Sequence, residues 1–174
     1  MLNKKVEKAL NDQINAEFWS AFLYLSMSAH FQSENLAGFA NWMKVQYQEE
    51  SAHAMILFNY ANERGGKVVL KAIDKPETAF KSAIHVFETT LTHEIVVTGL
   101  INNLMDIAIV EKDHATANML QWFVAEQVEE EANASEILSQ LKLIKNDGQG
   151  LLLLDRELKA RVFVTPAPLL AAGQ

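Results

Sequence analysis

Residues 48–53, Gln48-Glu49-Glu50-Ser51-Ala52-His53, set a Glu-x-x-His step into a helical stripe that otherwise reads as core: Phe39, Met43, Gln46, Glu50, His53, Leu57 and Tyr60. Side chains three and four apart share one helix face, so this stripe faces the protein interior. An unpaired carboxylate pulled from water into a packing seam costs several kcal/mol, and a charge there needs a compensating partner. A metal cation is the natural candidate.

Three further segments repeat the anomaly. A first helix over about Asn3 to Gln32 buries Val6, Leu10, Ile14, Glu17, Ala21, Tyr24 and Ser28. The second follows a cap at Ser33 or Asn35 and is stopped by Arg64-Gly65-Gly66. A third, from about Ala79 to Val110, carries Phe87, Leu91, Glu94, Thr98, Ile101, Met105 and Ala108. Asp113 can cap a fourth with Met119, Phe123, Glu126/Gln127, Glu130, Ala134, Ile137 and Leu141, ended by Asn146-Asp147-Gly148-Gln149-Gly150. A short fifth helix is expected in Leu151 to Val162, too short to stand without docking on something. The proline-broken end, 163–174, implies no regular structure.

Between the second and third helices lies one long connection, Gly65 to about Thr78. Helices of ~28 residues span about 42 Å, and ~14 extended residues reach about 46 Å. The connection can therefore run the length of the bundle and set the third helix parallel to the second, unlike an up-down-up-down bundle.

Composition narrows the function classes. The 174 residues are 49% apolar with a net charge of -7 and no cysteine, which suits one globular domain without disulfides or thiolate metal sites. No basic stripe interleaved with aromatics is present, so nucleic acid is not the expected partner. No uninterrupted apolar run approaches the roughly 18 residues of a membrane span, and the charged N-terminal residues do not resemble a signal peptide. A cytoplasmic location is expected. His30, His85, His93 and His114 lack paired ligand spacing and are expected at surface or capping positions, while Leu151 to Leu154 reads as an oligomer contact.

Each polar intruder falls near the middle of its helix, and the midpoints of similar helices lie at one level whichever way each helix runs. Glu17, Glu50, His53, Glu94 and Glu130 should meet inside the bundle, with Gln127 one turn from Glu130. Four carboxylates in a small volume repel one another when empty, and two divalent cations would neutralise them. Carboxylates with one imidazole and no sulfur suit iron or manganese, with zinc as an adventitious occupant.

Over roughly 1–162 the chain resembles the bacterial non-haem ferritins. The resemblance rests on Asn15-Ala16-Glu17 with Tyr24, on Gln48 to His53, on His93-Glu94, on Trp122 with Glu126-Gln127-Val128-Glu129-Glu130-Glu131, and on the short fifth helix. It implies an all-α, ferritin-like four-helix bundle with a long crossover and a short C-terminal helix, and a separate tail at 163–174. It further implies that Glu17, Glu50 and His53 hold one iron and that Glu50, Glu94 and Glu130 hold a second, beside Gln127. Glu49, Glu126, Glu129 and Glu130 match a third, weaker iron position, and Tyr24 and Trp122 match aromatics that could supply an electron.

The implied activity is ferroxidase: ferrous iron oxidised by dioxygen or hydrogen peroxide, with ferric oxide stored inside a homo-oligomeric cage of 24 subunits. Helix four offers Gln127-x-x-Glu130 where many di-iron oxygenases and bacterioferritins repeat Glu-x-x-His. Ser51 stands where a bacterioferritin has its haem-ligating methionine, so haem is not expected. The alternatives are a non-storage di-iron oxidase or peroxidase, which should be a small oligomer, and a DNA-protecting mini-ferritin, which usually has a basic tail.

Overall fold

The computed structural model describes residues 2–145 and 147–171. They form six helices: α1 (Lys4–Ser33), α2 (Ala37–Glu63), α3 (Ala83–Val110), α4 (His114–Ile144), α5 (Gly148–Leu158) and α6 (Ala167–Ala171). The expected breaker residue Asn146 and tail residues 172–174 lie outside the described residues.

Helix starts follow local side-chain chemistry. Asn3, Ser82, Asp113 and Asp147 each accept a hydrogen bond from a backbone N–H of the first turn of α1, α3, α4 and α5. The start of α2 is the exception. Neither Ser33 nor Asn35 caps it; Asn35 takes a left-handed conformation at φ 59° in the turn after α1. Instead Asp155 of α5 reaches across and accepts from Gly38 N at 2.8 Å and Phe39 N at 3.0 Å. Gly38 is required for this docking, because a Cβ there would lie 1.5 Å from the Asp155 carbonyl oxygen.

The chain ends fix the topology. Leu2 N bonds the Arg64 carbonyl, Asn3 bonds Glu111, and Arg64 pairs with Asp113, so the starts of α1 and α4 and the ends of α2 and α3 share one end of the bundle. α2 and α3 are therefore parallel, as the length of the crossover predicted. That crossover runs along α1, bonding Asn11 through Lys67 O and Val69 N and Ser26 through Glu77 O.

Several boundaries differ from expectation. α3 begins at Ala83, because Ser82 supplies the cap and the apolar Phe80 is buried from the crossover against His30. Leu91, Thr98, Met105 and Met119 are half-buried, and Thr90, Val97, Leu104 and Leu120 take the fully buried positions. α5 starts earlier, at the Asp147 cap, and ends earlier, where Asn41 Nδ2 takes the carbonyls of Leu158, Lys159 and Arg161. The tail is not wholly irregular: α6 forms after Pro166, whose carbonyl accepts from Leu169 N, and Leu169 packs on the core.

α3 is long and apolar enough to cross a membrane by length and composition alone. Its apolar sequence is nonetheless interrupted, by His93 and Glu94 and again by Asn102, Asn103 and Asp106. Its buried stripe packs into the bundle, while Ile95, Val96 and Leu100 face outward.

The core falls into two apolar clusters. One gathers Phe31, Phe39, Met43, Phe87 and Leu141; the other gathers Leu10, Ile14, Leu57, Ile101 and Phe123. Along α2, Gln46, Glu50 and His53 sit between Met43 of the first and Leu57 of the second. The polar intruders form a layer between two apolar halves.

Candidate metal centre

Glu17 of α1, Glu50 and His53 of α2, Glu94 of α3, and Gln127 and Glu130 of α4 are all buried. Their helices place them there because each falls on the stripe whose neighbours a turn away are core residues. Glu50 is 2% exposed and His53 1%.

Glu17, Glu50 and His53 each offer a ligand atom within 4.8 Å of the others, the one such grouping of three among the described residues. Gln13 Nε2 donates to Glu17 Oε1 at 2.8 Å. His53 Nδ1 stands 3.6 Å from Glu50 Oε2. Yet Glu17 Oε2, Glu50 Oε2 and His53 Nε2 are buried with no hydrogen-bond partner. Buried polar atoms are ordinarily satisfied, and three orphans aimed into one group fit a bound cation.

Glu94 and Glu130 complete the layer but are held by protein donors. Tyr24 donates its hydroxyl to Glu94 Oε1, and Gln127 Nε2 lies 3.2 Å from Glu94 Oε2. Gln46 Nε2 donates to Glu130 Oε2 at 2.9 Å, while Gln46 Oε1 is itself unpartnered. Trp122 packs edge-on against the His53 ring at 5.4 Å.

Electrostatics follow from burial and crowding. Burial, then the charges of Glu94, Glu17 and Glu130, push the Glu50 carboxyl well above its ordinary value. Burial, then Glu94 and Glu49, do the same to Glu130. Burial raises Glu94 to about 7 and also raises Glu17. His53 is pushed down to about 4 by burial. Without a cation the layer holds protons and keeps its imidazole neutral, the form that can donate a lone pair to a metal.

Glu49 of α2 and Glu126 of α4 are half-buried, and Glu129 of α4 is exposed. Burial, against the pull of Arg161, raises Glu49 to about 7, and the charges of Glu126 and Glu129 add to the rise. Their oxygens do not converge as tightly as those of Glu17, Glu50 and His53; Glu49 instead pairs with Arg161 Nη2 at 2.6 Å.

Some residues near the centre carry no sequence signal of their role. Gln46 stood on the apolar stripe as a core amide, and Gln13 on no stripe; both turn out to hold ligand-type carboxylates. His93 is neither a surface nor a capping residue: it lies between Trp19 and Tyr24, with Nε2 2.8 Å from Ser20 Oγ. Glu131 accepts from Thr98 Oγ1 at 2.5 Å rather than standing free in solvent. Ser51 donates to the Tyr47 carbonyl at 2.7 Å.

Comparison with known proteins places this geometry in a family. The ferritin-like domain model matches residues 7–144. The bacterial non-heme ferritin of Bacteroides fragilis is 44% identical over 161 residues, covering 92% of this chain and all of its own. A probable bacterial non-heme ferritin-like protein of Haemophilus influenzae is 44% identical over 91% of this chain and 96% of its own. Among solved structures, the open-pore ferritin of Archaeoglobus fulgidus superposes with a TM-score of 0.92 at 51% identity, covering 93% of this chain and 100% of that one. A closed form engineered from the same ferritin gives 0.93 at 51%, with 94% and 100% covered. The chain belongs to the ferritin family.

Proposed function

We propose that this protein is an iron-storage ferritin with ferroxidase activity. The observation that carries the reading is the buried group Glu17, Glu50 and His53, with three orphaned ligand-type atoms, set in a carboxylate layer between two apolar clusters. Glu17, Glu50 and His53 receive one ferrous ion. Glu50, Glu94 and Glu130 receive a second beside Gln127, and Glu50 bridges the two.

Ferrous iron is the substrate. Two ferrous ions give up one electron each, and dioxygen with two protons takes both to become hydrogen peroxide; hydrogen peroxide can itself be the oxidant. The chain's part is positioning. Carboxylates stabilise the ferric charge more than the ferrous, which favours electron loss. As cations arrive, the raised carboxyls of the layer release the protons that the oxidant consumes. Tyr24, bonded to Glu94, and Trp122, against His53, stand where each could donate a further electron.

Glu49, Glu126, Glu129 and Glu130 offer a third, weaker position on the way out of the bundle. Storage requires an enclosed volume, and we assign a cage of 24 subunits, about half a megadalton from 19.5 kDa chains. Exposed Phe22, Leu25, Val69 and Leu70 are apolar surface that assembly would cover. A non-storage di-iron oxidase would elute as a small oligomer.

The test is stopped-flow ferrous oxidation by the assembled, metal-free protein under air. The reading expects a fast phase of two irons per chain that Glu50→Ala removes while the particle mass is unchanged. A fast phase that survives Glu50→Ala overturns it.

A further inference from the structure

After α5 the chain turns back over α2. Asn41 Nδ2 fixes it by donating to the carbonyls of Leu158 at 3.4 Å, Lys159 at 3.3 Å and Arg161 at 2.9 Å. The turn delivers Arg161 to Glu49. Its Nη2 sits 2.6 Å from Glu49 Oε2, its Nη1 donates to the Trp42 carbonyl at 3.4 Å, and its guanidinium carbon lies 4.4 Å from the centre of the Trp42 ring. An arginine stacked on an aromatic while one Nη reaches a carboxylate and the other a backbone carbonyl is held in one place, which a lysine could not reproduce.

The placement is specific in charge as well as shape. Glu49 faces Glu126 and Glu129 of α4, and both repel its negative form. Among the described residues, the Arg161 contact is the one salt bridge that any of these three carboxylates makes. A metal ion arriving at Glu49 brings a second positive charge beside the guanidinium, and the two cations repel each other across one carboxylate.

We propose that Arg161 is a built-in counter-cation of the Glu49, Glu126 and Glu129 group, and that a metal ion entering there displaces it. Two consequences follow. The arginine weakens cation binding at this position alone, so that an ion held there is passed on readily. Displacement also frees the guanidinium from Trp42 and loosens the chain segment that follows α5, so occupancy is relayed to the C-terminal segment. The proposal rests on the reading that these carboxylates take a cation, and the experiment separates the two.

The assembled, metal-free protein is titrated with Zn2+ by calorimetry, and amide hydrogen exchange across 159–164 is followed by mass spectrometry. The Glu126→Gln/Glu129→Gln double variant identifies the ion at this position as the one it loses. In Arg161→Gln that ion binds about tenfold tighter, the scale of losing one competing ion pair, while the central ions are unchanged. Arg161→Lys, which keeps the charge, stays nearer to wild type. Filling the position in wild type speeds exchange across 159–164 at least about threefold, and Glu49→Gln exchanges fast with or without Zn2+. Equal or weaker binding to Arg161→Gln, or exchange unchanged by filling, overturns the counter-cation role alone. Absence of such an ion from both wild type and Arg161→Gln overturns the third-position reading and the proposal together.

Discussion

Gln46 of α2 donates from Nε2 to Glu130 Oε2 of α4 at 2.9 Å and leaves its own Oε1 without a partner in the same buried layer. The amide holds one carboxylate in place and offers an oxygen toward the centre. It is a positioning residue.

Replacing Gln46 with Leu should leave Glu130 without its donor. An unsatisfied buried acceptor costs about 1–3 kcal/mol, so denaturant melts of the metal-free protein should show a loss of that size. Calorimetry with Zn2+ should show the second central ion weakened and the first, at Glu17, Glu50 and His53, retained.

The acid-base behaviour of the layer has a definite sign. Glu94 titrates at about 7 in the fold, Glu17 is raised and Glu50 and Glu130 are raised further, all with burial as the leading cause. These carboxyls bind protons more tightly folded than unfolded. Their stabilising contribution is complete below the ordinary value of 4.5 and is lost as pH rises through their folded values. His53, lowered by burial from 6.5 to about 4, acts oppositely: its contribution is present above 6.5 and is lost as pH falls toward 4. Four carboxyls outweigh one imidazole, so the melting temperature of the metal-free protein should fall between about pH 5 and pH 7.5, and saturating Zn2+ should abolish that fall.

Glu50→Gln keeps the shape of the side chain and removes the cost of holding a buried carboxyl protonated at neutral pH, where the unfolded chain would ionise it. The metal-free variant should be more stable than wild type at neutral pH by about 1 kcal/mol or more, since that cost is gone. Zn2+ should then raise its melting temperature far less than it raises that of wild type.

The joint between α5 and the bundle can be broken at one atom. Gly38→Ala would drive a Cβ into the Asp155 backbone, and Asp155→Ala would remove the cap of α2 while sparing the contact. The cap loss should cost about 0.5–2 kcal/mol, and Gly38→Ala should cost more by displacing α5. Limited proteolysis after Lys145 should accelerate in Gly38→Ala more than in Asp155→Ala.

How far the sequence could be read depended on whether a signal was periodic or not. The four long helices, the parallel crossover and the level of Glu17, Glu50, His53, Glu94 and Glu130 were readable because helical spacing repeats and a charge on an apolar stripe stands out. Phe80 misled the start of α3, since an apolar residue buried from a loop looks like one buried from a helix. Asp155 and Arg161 were opaque for a different reason. Each acts on α2 from more than a hundred residues away, and no local pattern marks such contacts. Gln46 was invisible as a functional residue because an amide on a core stripe resembles filler until its partner on α4 is known.

The central claim is that the buried layer takes two ions, with Glu50 between them. Crystals of the assembled protein soaked in ferrous iron without oxygen, and measured at the iron absorption edge, test it most directly. Two anomalous peaks per chain are expected, one among Glu17, Glu50 and His53 and the other among Glu50, Glu94 and Glu130. Iron confined to surface carboxylates, with no peak between the two apolar cores, would contradict it.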